Sequence, residues 1–291
     1  MIIVKLIGGL GNQMFQYAAG RRLAALHNTS LKIDLSQLKA DPNGAYTKRH
    51  FELDIFSFVP EFATETDVAP FLKFTRSRVR RVLFRELPFL FSTAYIAESG
   101  KDYSPSFEKY PVNTYLDGFW QNEKYFMPVE SLIRSEFSFR APLSGANNDV
   151  AQKIQSSNAI SLHIRRGDYI TNKNANRFHG VCSPEYYQKA VDLLAKKEGD
   201  LQLFIFSDDS AWCKDNLHFN YPTTYIDHNT GSNSYLDMQL MGLCKHNVIA
   251  NSSFSWWGAW LNANKNKTII APKNWFAGQT DSICPPNWIR L

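Results

Sequence analysis

The chain has 291 residues, enough for one large or two ordinary domains, and its 44% hydrophobic content is that of a globular protein with a substantial core. A net charge of +5 is too mild for a dedicated nucleic-acid binder and is accounted for by an anionic small-molecule ligand. Four cysteines (Cys182, Cys213, Cys244, Cys284) stand far apart without Cys-x-x-Cys or zinc-type spacing, so reduced, mostly buried thiols are expected rather than a disulfide framework or a structural zinc.

Residues 1–7 read as a strand rather than a signal peptide, because glycines interrupt them at once, and no apolar run approaches the ~18 residues of a spanning helix. A cytoplasmic protein is the expectation. The strand runs into Gly8-Gly9-Leu10-Gly11-Asn12-Gln13-Met14 and an Ala-rich helix, a βα unit whose helix N-terminus can face an anion. The next strand, 31–35, ends near Asp34, about where a dinucleotide-binding fold carries its ribose-binding acid. Gly9 and Gly11 invite that reading, but Met14 stands where the third glycine of the fingerprint belongs.

Residues 41–140 carry scattered aromatics, among them Tyr46, His50, Phe51, Phe56 and Phe58, without clean periodicity. Within them, Arg76–Arg85 is basic with apolar spots; a solvated helix face and peripheral contact with the inner face of a membrane are the two readings. Asp117-Gly118-Phe119-Trp120-Gln121-Asn122 reads as a strand end entering a loop, with rings and amides suited either to a sugar or to the core.

Residues 142–148 turn to Pro, Ser, Gly and Asn, the best linker candidate, so that two domains are expected, 1–145 and 146–291. Beyond them the pattern is regular: helix 150–155, strand 158–164, helix 184–197 with Ser183 as N-cap, strand 201–206, strand 224–226, helix 234–244, strand 247–250, helix 254–262 and strand 268–271. Such alternation predicts an α/β fold with a parallel, doubly wound sheet.

Loops after the strands of such a sheet emerge on one edge and converge on a ligand. Here they carry His163-Ile164-Arg165-Arg166-Gly167-Asp168, Ser207-Asp208-Asp209 and Asn251-Ser252-Ser253-Phe254-Ser255. Arg165 and Arg166 supply permanent cations for phosphate. The Ser252–Ser255 helix start supplies backbone amides, hydroxyls and the helix dipole. Asp208 or Asp209 can accept from a ribose hydroxyl or a guanine edge. Bland readings stand beside each: solvated charge for the arginines, helix caps for the aspartates and serines, a satisfied core residue for His163. The chain has no Asp-x-Asp triplet, so a metal-independent site is expected, with the paired arginines in the metal's electrostatic role.

The motif His163-Ile164-Arg165-Arg166-Gly167-Asp168-Tyr169 resembles that of the α-1,2-fucosyltransferases, glycosyltransferase family 11. Gly8 to Tyr17 and Asn251-Ser252-Ser253-Phe254-Ser255-Trp256-Trp257-Gly258-Ala259 resemble that family's N- and C-terminal motifs. The resemblance implies a GT-B-like architecture of two Rossmann-like doubly wound lobes with the donor site in the cleft. The N-terminal lobe would carry the acceptor side, and the last residues could pack back on it. It implies GDP-L-fucose as donor, inversion at the fucose anomeric carbon, and transfer to the 2-hydroxyl of a galactose-type acceptor on an oligosaccharide or lipid-linked glycan, as in O-antigen or surface polysaccharide. On the same ground Arg165 meets the β-phosphate with Arg166 in support. Gly11 and Asn12 reach the donor from the N-terminal lobe, Asp208 or Asp209 reads the nucleoside, and Asn251, Ser252, Ser253 and Ser255 complete the donor set.

GDP leaves as an anion, so no general acid is required. Asp168 is the first choice as base for the acceptor proton, with ion pairing to Arg165 or Arg166 as its alternative role, and His163 the second choice. Three other readings remain: a transferase of another linkage or GDP-sugar, an NAD(P)-binding oxidoreductase through Gly9, Gly11 and Asp34, and a non-catalytic carbohydrate-binding protein.

Overall fold

The protein is described by a computed structural model, which covers residues 1–40, 49–73, 82, 87, 92–100, 102–167, 170, 180–276, 279–280 and 283–291. The chain divides into two compact units, Met1–Arg140 and Ala141–Leu291.

The first unit contains β1 (Ile2–Lys5), α1 (Leu10–Leu26), β2 (Leu31–Asp34), α2 (Ser36–Lys39), α3 (Glu65–Leu72), β3 (Thr93–Ala97), β4 (Asn113–Asp117) and α4 (Glu130–Glu136). Its strands form a parallel sheet in the order β2-β1-β4-β3. Successive residues of β1 face opposite sides. Ile3 packs in a cluster with Val68 and Phe71 of α3 and with Tyr95 and Tyr115, while Val4 meets α1. That second contact needs Gly20, where a Cβ would lie 2.9 Å from a Leu31 methyl and 3.2 Å from Val4 Cβ. The close helix–strand approach denied by Met14 is therefore supplied six residues later. Both faces of the sheet are covered, so the middle residues of β1, β3 and β4 are buried without alternation, while polar residues such as Lys5 and Asp117 stand at strand ends.

The second unit contains α5 (Ala146–Gln155), β5 (Asn158–Ile164), α6 (Pro184–Ala195), β6 (Leu201–Ser207), α7 (Ser210–Asn216), β7 (Thr223–Ile226), α8 (Tyr235–Met241), β8 (His246–Val248), α9 (Ser253–Leu261), β9 (Ile269–Ala271), β10 (Asn274–Phe276), β11 (Gln279–Thr280) and β12 (Ile289–Arg290). Six of its strands form a parallel sheet ordered β12-β9-β8-β5-β6-β7. On one face Ile160, Leu162, Leu203 and Ile205 pack with Tyr187 and Val191 of α6 and Cys213 of α7. On the other, Phe204 and Phe206 pack with Ile154 of α5 and Leu240 and Met241 of α8. This is the doubly wound arrangement expected from the sequence.

One expectation is corrected. Helix α5 begins at Ala146, inside the stretch read as a linker, because Val150, Ala151 and Ile154 recur at helical spacing and Gly145 (φ +52°) supplies the turn into it. The last residues form β12 and pair with β9 in the second sheet, Ile289 opposite Ile270.

The strand order places one reversal of winding in each unit. From β5 the chain winds outward through β6 and β7, then returns to β8 on the other side of β5. In the first unit it goes from β1 to β2 and returns through β3 and β4. Open parallel sheets bind ligands at the carboxyl ends of the strands where the winding reverses. Those positions are β5/β8 and β1/β4.

Candidate functional site

The carboxyl end of β5 delivers Arg165 and Arg166. In the parallel register Ile164 lies opposite Ser207, so the next two residues of each strand are brought level. Arg165 Nη1 meets Asp208 Oδ2 at 3.0 Å, and Arg166 Nε meets Asp209 Oδ2 at 3.1 Å. The Arg166 backbone N–H donates to Asp208 Oδ1 at 2.9 Å. The Arg166 guanidinium also lies over the Trp212 ring, 3.7 Å from its centroid, a cation–π contact. Asp209 Oδ1 accepts from Trp212 N at 3.2 Å and so caps α7. Gly167 makes the clamp possible, since a Cβ there would stand 2.5 Å from Asp208 Oδ2.

These ion pairs are partly open to solvent, with 27% and 26% side-chain exposure at Arg165 and Asp208. Pairs of that kind stabilise a fold by about 0–1 kcal/mol. Their value lies in holding two guanidinium groups in place. Asp208 and Asp209, assigned from sequence to the nucleoside, are thus each brought to an arginine, and the competing helix-cap role is present at Asp209. Asp168 and Tyr169 lie outside the described residues.

His163 is buried, its ring tilted against Phe254 at 5.6 Å between centroids, and its Nδ1 has no hydrogen-bond partner. Burial, with the Arg165 cation beside it, pushes its pKa down to about 3. A ring held neutral in this way is poorly matched to taking a proton near neutral pH. The ring lies beside Arg165 and against Phe254, surroundings that favour a shaping role over proton transfer.

After β8, Asn251 and Ser252 lead into α9. Asn251 Nδ2 donates to Trp275 O at 3.2 Å and Gly180 O at 3.4 Å, while its Oδ1 receives the Cys182 thiol at 3.7 Å. Ser255 Oγ donates to Ser252 O at 3.2 Å and Ala250 O at 3.3 Å. Both side chains fasten the turn. Ser252 makes no side-chain cap bond to α9, so the helix start is not closed by its own N-cap. The helix is anchored behind by Trp256, Trp257 and Trp260, all buried, with Trp256 Nε1 donating to Ile283 O at 3.1 Å. A rigid helix N-terminus at the β5/β8 reversal suits an anion.

In the first unit the Gly8–Asn12 turn follows β1. Gly8 adopts φ +81°, and a Cβ there would lie 2.5 Å from Asn12 Nδ2. Asn12 Oδ1 accepts from Gln121 Nε2 at 2.7 Å, which ties the turn to the loop after β4, and Gly11 is buried in the first turn of α1. Two residues overlooked in the sequence brace this region. Gln13 Nε2 donates to Gly8 O at 2.9 Å and His50 O at 2.7 Å, and Gln16 receives Ile7 N at 2.9 Å and donates to Gly118 O at 3.1 Å. Glu52 Oε2 accepts from Leu10 N at 3.2 Å and serves the α1 start, where the Gly9 N-cap has no side chain to offer.

The β4 loop is held by Glu98, another residue not singled out from the sequence. Its carboxylate accepts the amides of Phe119 at 2.6 Å and Trp120 at 3.0 Å, and burial pushes its pKa up. Trp120 sits at φ +54°, a strain of roughly 1–3 kcal/mol for a bulky residue.

Asp34 is buried and its oxygens accept from Tyr115 Oη, from Ser36 N at 2.8 Å and from Ser36 Oγ at 3.0 Å. Those three bonds give it a structural role within the unit, against the ribose contact that the dinucleotide reading required. The basic Arg76–Arg85 stretch lies, save Val82, outside the described residues. Among the described residues no helix is long and apolar enough to cross a membrane.

The family profile described as glycosyl transferase family 11 matches residues 1–291. The Escherichia coli O-antigen biosynthesis glycosyltransferase WbnK is 36% identical over 98% of this chain and 99% of its own length. An Escherichia coli alpha-1,2-colitosyltransferase is 33% identical over 100% of this chain and 99% of its own. Galactoside alpha-(1,2)-fucosyltransferase 1 of Rattus norvegicus is 26% identical over 50% of this chain and 41% of its own length. Among solved structures, NodZ alpha-1,6-fucosyltransferase soaked with GDP-fucose has a TM-score of 0.51 at 15% identity, over 89% of this chain and 91% of that one. This last likeness is one of fold, and with the two parallel sheets it bears out the GT-B-like α/β expectation. A profile match along the whole chain and two full-length relatives above 30% identity set aside the oxidoreductase reading, and the chain belongs to glycosyl transferase family 11 as a glycosyltransferase.

Proposed function

We propose that the protein transfers L-fucose from GDP-L-fucose to the 2-hydroxyl of a terminal galactose-type acceptor, with inversion and without a metal ion. The observation that carries this reading is the pairing of a clamped Arg165 with the α9 helix start at the β5/β8 reversal. Fixed positive charge at that point suits a departing nucleoside diphosphate. The 1,2 linkage is supported by two relatives named for it, and an O-antigen or other surface-polysaccharide acceptor by the relative named for that synthesis.

In the step, the acceptor O2 attacks the fucose C1, the bond from C1 to the β-phosphate oxygen breaks, and its electron pair leaves with GDP. Arg165 meets the growing charge on the β-phosphate. A charge-assisted hydrogen bond of that kind contributes about 1.5–3 kcal/mol net. Arg166, locked onto Asp209 and Trp212, holds the neighbouring backbone, and Asp208 positions Arg165. The hydroxyl proton passes to a base, and Asp168 is the proposed one, with an ion pair to the arginines as the competing role. Substantial turnover retained in Asp168→Asn would favour the ion pair.

A second donor has one observation in its favour: the 33% identical relative named an alpha-1,2-colitosyltransferase. Colitose is L-fucose without its 3-hydroxyl. A site that hydrogen-bonds a substrate hydroxyl rejects the analogue lacking it by about 10⁴-fold, whereas an apolar wall there barely discriminates. Rates with GDP-fucose, GDP-colitose and GDP-mannose on one β-galactoside acceptor, each with and without EDTA, test the proposal. GDP-fucose is expected to give the highest kcat/KM, unaffected by EDTA. A strong preference for another donor, or loss of activity in EDTA, would reject it.

A further inference from the structure

We propose that the exposed ring of Phe119 is the platform on which the acceptor galactoside stacks, and that Glu98 is the positioning residue that turns it outward. The galactoside as acceptor rests on the function proposed above; the platform itself is argued from the loop after β4.

Gly118-Phe119-Trp120-Gln121 offers two adjacent aromatic rings, and the fold treats them oppositely. Trp120 is 1% exposed and packs against Phe107 and Tyr125, at 5.8 and 5.3 Å between centroids. Phe119 is 43% exposed and, among the described residues, has no ring partner. Local chemistry produces the separation. Trp120 takes the left-handed conformation, φ +54°, and the Glu98 carboxylate receives the amides of both residues, at 2.6 and 3.0 Å. Gly118 lets Glu98 approach, since a Cβ there would stand 2.3 Å from Glu98 Cβ. A strained residue, a buried carboxylate and a glycine thus cooperate to leave one apolar ring in water. The left-handed Trp120 and the outward Phe119 occur together in one loop, and strain held at such a point motivates a functional reading.

The location agrees. Phe119 follows β4 at the carboxyl edge, beside β1, where the winding of the first sheet reverses. The adjoining side chains on the two loops are the neutral amides of Asn12 and Gln121, bonded to each other at 2.7 Å. An aromatic face beside amides fits an uncharged polyol with one apolar side. Galactose is such a ligand: its C3, C4 and C5 hydrogens line one face of the ring and its hydroxyls reach the rim.

The test compares Phe119→Ala, Phe119→Tyr and Glu98→Gln with wild type in steady-state transfer. Phe119→Ala should raise the galactoside KM about tenfold, with the donor KM and Tm unchanged, and Phe119→Tyr should restore the acceptor KM. Glu98→Gln, which loses one of two acceptor oxygens, should shift the acceptor KM in the same direction. An unchanged galactoside KM in Phe119→Ala would overturn the proposal. If wild type does not use GDP-fucose, the donor assignment fails, and saturation-transfer NMR on methyl β-galactoside then decides for Phe119. Saturation of H3 to H5 in wild type that is lost in Phe119→Ala supports the platform; equal saturation in both, or none in wild type, overturns it.

Discussion

Asp208 holds Arg165 through one carboxylate oxygen, at 3.0 Å, and the backbone N–H of Arg166 through the other, at 2.9 Å. The carboxylate therefore fixes the place of the Arg165 guanidinium relative to the strand beside it. Removing Asp208 leaves the charge of Arg165 but frees its position.

Arg165→Ala should lower kcat by ~10²–10³, the usual cost of losing a donor that meets developing charge. Arg165→Lys retains the charge without the guanidinium fork and should recover only part of that loss. Asp208→Asn should lower kcat by a smaller factor, about 10–100, with Tm nearly unchanged because the pair is solvent-screened. The double variant Arg165→Ala/Asp208→Asn should be no worse than Arg165→Ala, since both act through one guanidinium. Additive losses would show that Asp208 acts independently of Arg165.

Gly167→Ala places a Cβ 2.5 Å from Asp208 Oδ2 and should reproduce the Asp208→Asn kinetics in a folded protein. Gly8→Ala differs in kind: at φ +81°, and with a Cβ 2.5 Å from Asn12 Nδ2, it should cost about 1–2 kcal/mol of stability as well as disturb the Asn12–Gln121 bond. Thermal denaturation beside kinetics separates the two. Equal Tm values for Gly8→Ala and wild type would contradict the strain.

Asp237 is buried and accepts from Asn229 Nδ2 at 2.8 Å, in a network with Asn147 and His228. Burial pushes its carboxyl pKa up to about 7, whereas an unfolded Asp titrates near 3.9. The folded state therefore holds a proton that the unfolded state releases, and the associated stability is complete below about pH 4 and is lost as pH rises through 7. Urea midpoints from pH 4 to 8 should show a declining contribution that Asp237→Asn removes. A variant with the wild-type slope would place the titration elsewhere.

Much of the second unit was readable because its strands are short apolar runs between amphipathic helices, and the polar strand ends stand out against them. What remained hidden was register. Only the pairing of Ile164 with Ser207 shows that Asp208 and Asp209 stand level with Arg165 and Arg166, so an acid that looked free for a nucleoside is already engaged. The first unit was harder. Strands β3 and β4 are covered on both faces and carry no alternation, and the partners of Gln16 and Glu98 lie 102 and 21–22 residues away in the chain. Buried polar side chains of this kind acquire a role only once the backbone they serve is in place.

The linkage formed is read directly from the product. NMR of the product made from GDP-L-fucose and a β-galactoside acceptor reports the anomeric configuration from the fucose H1–H2 coupling and the attachment point from the correlation of fucose H1 to a galactose carbon. An α-fucosyl unit on galactose C2 is expected. A β-linked product, attachment at another carbon, or no fucosylated product from this donor would contradict it.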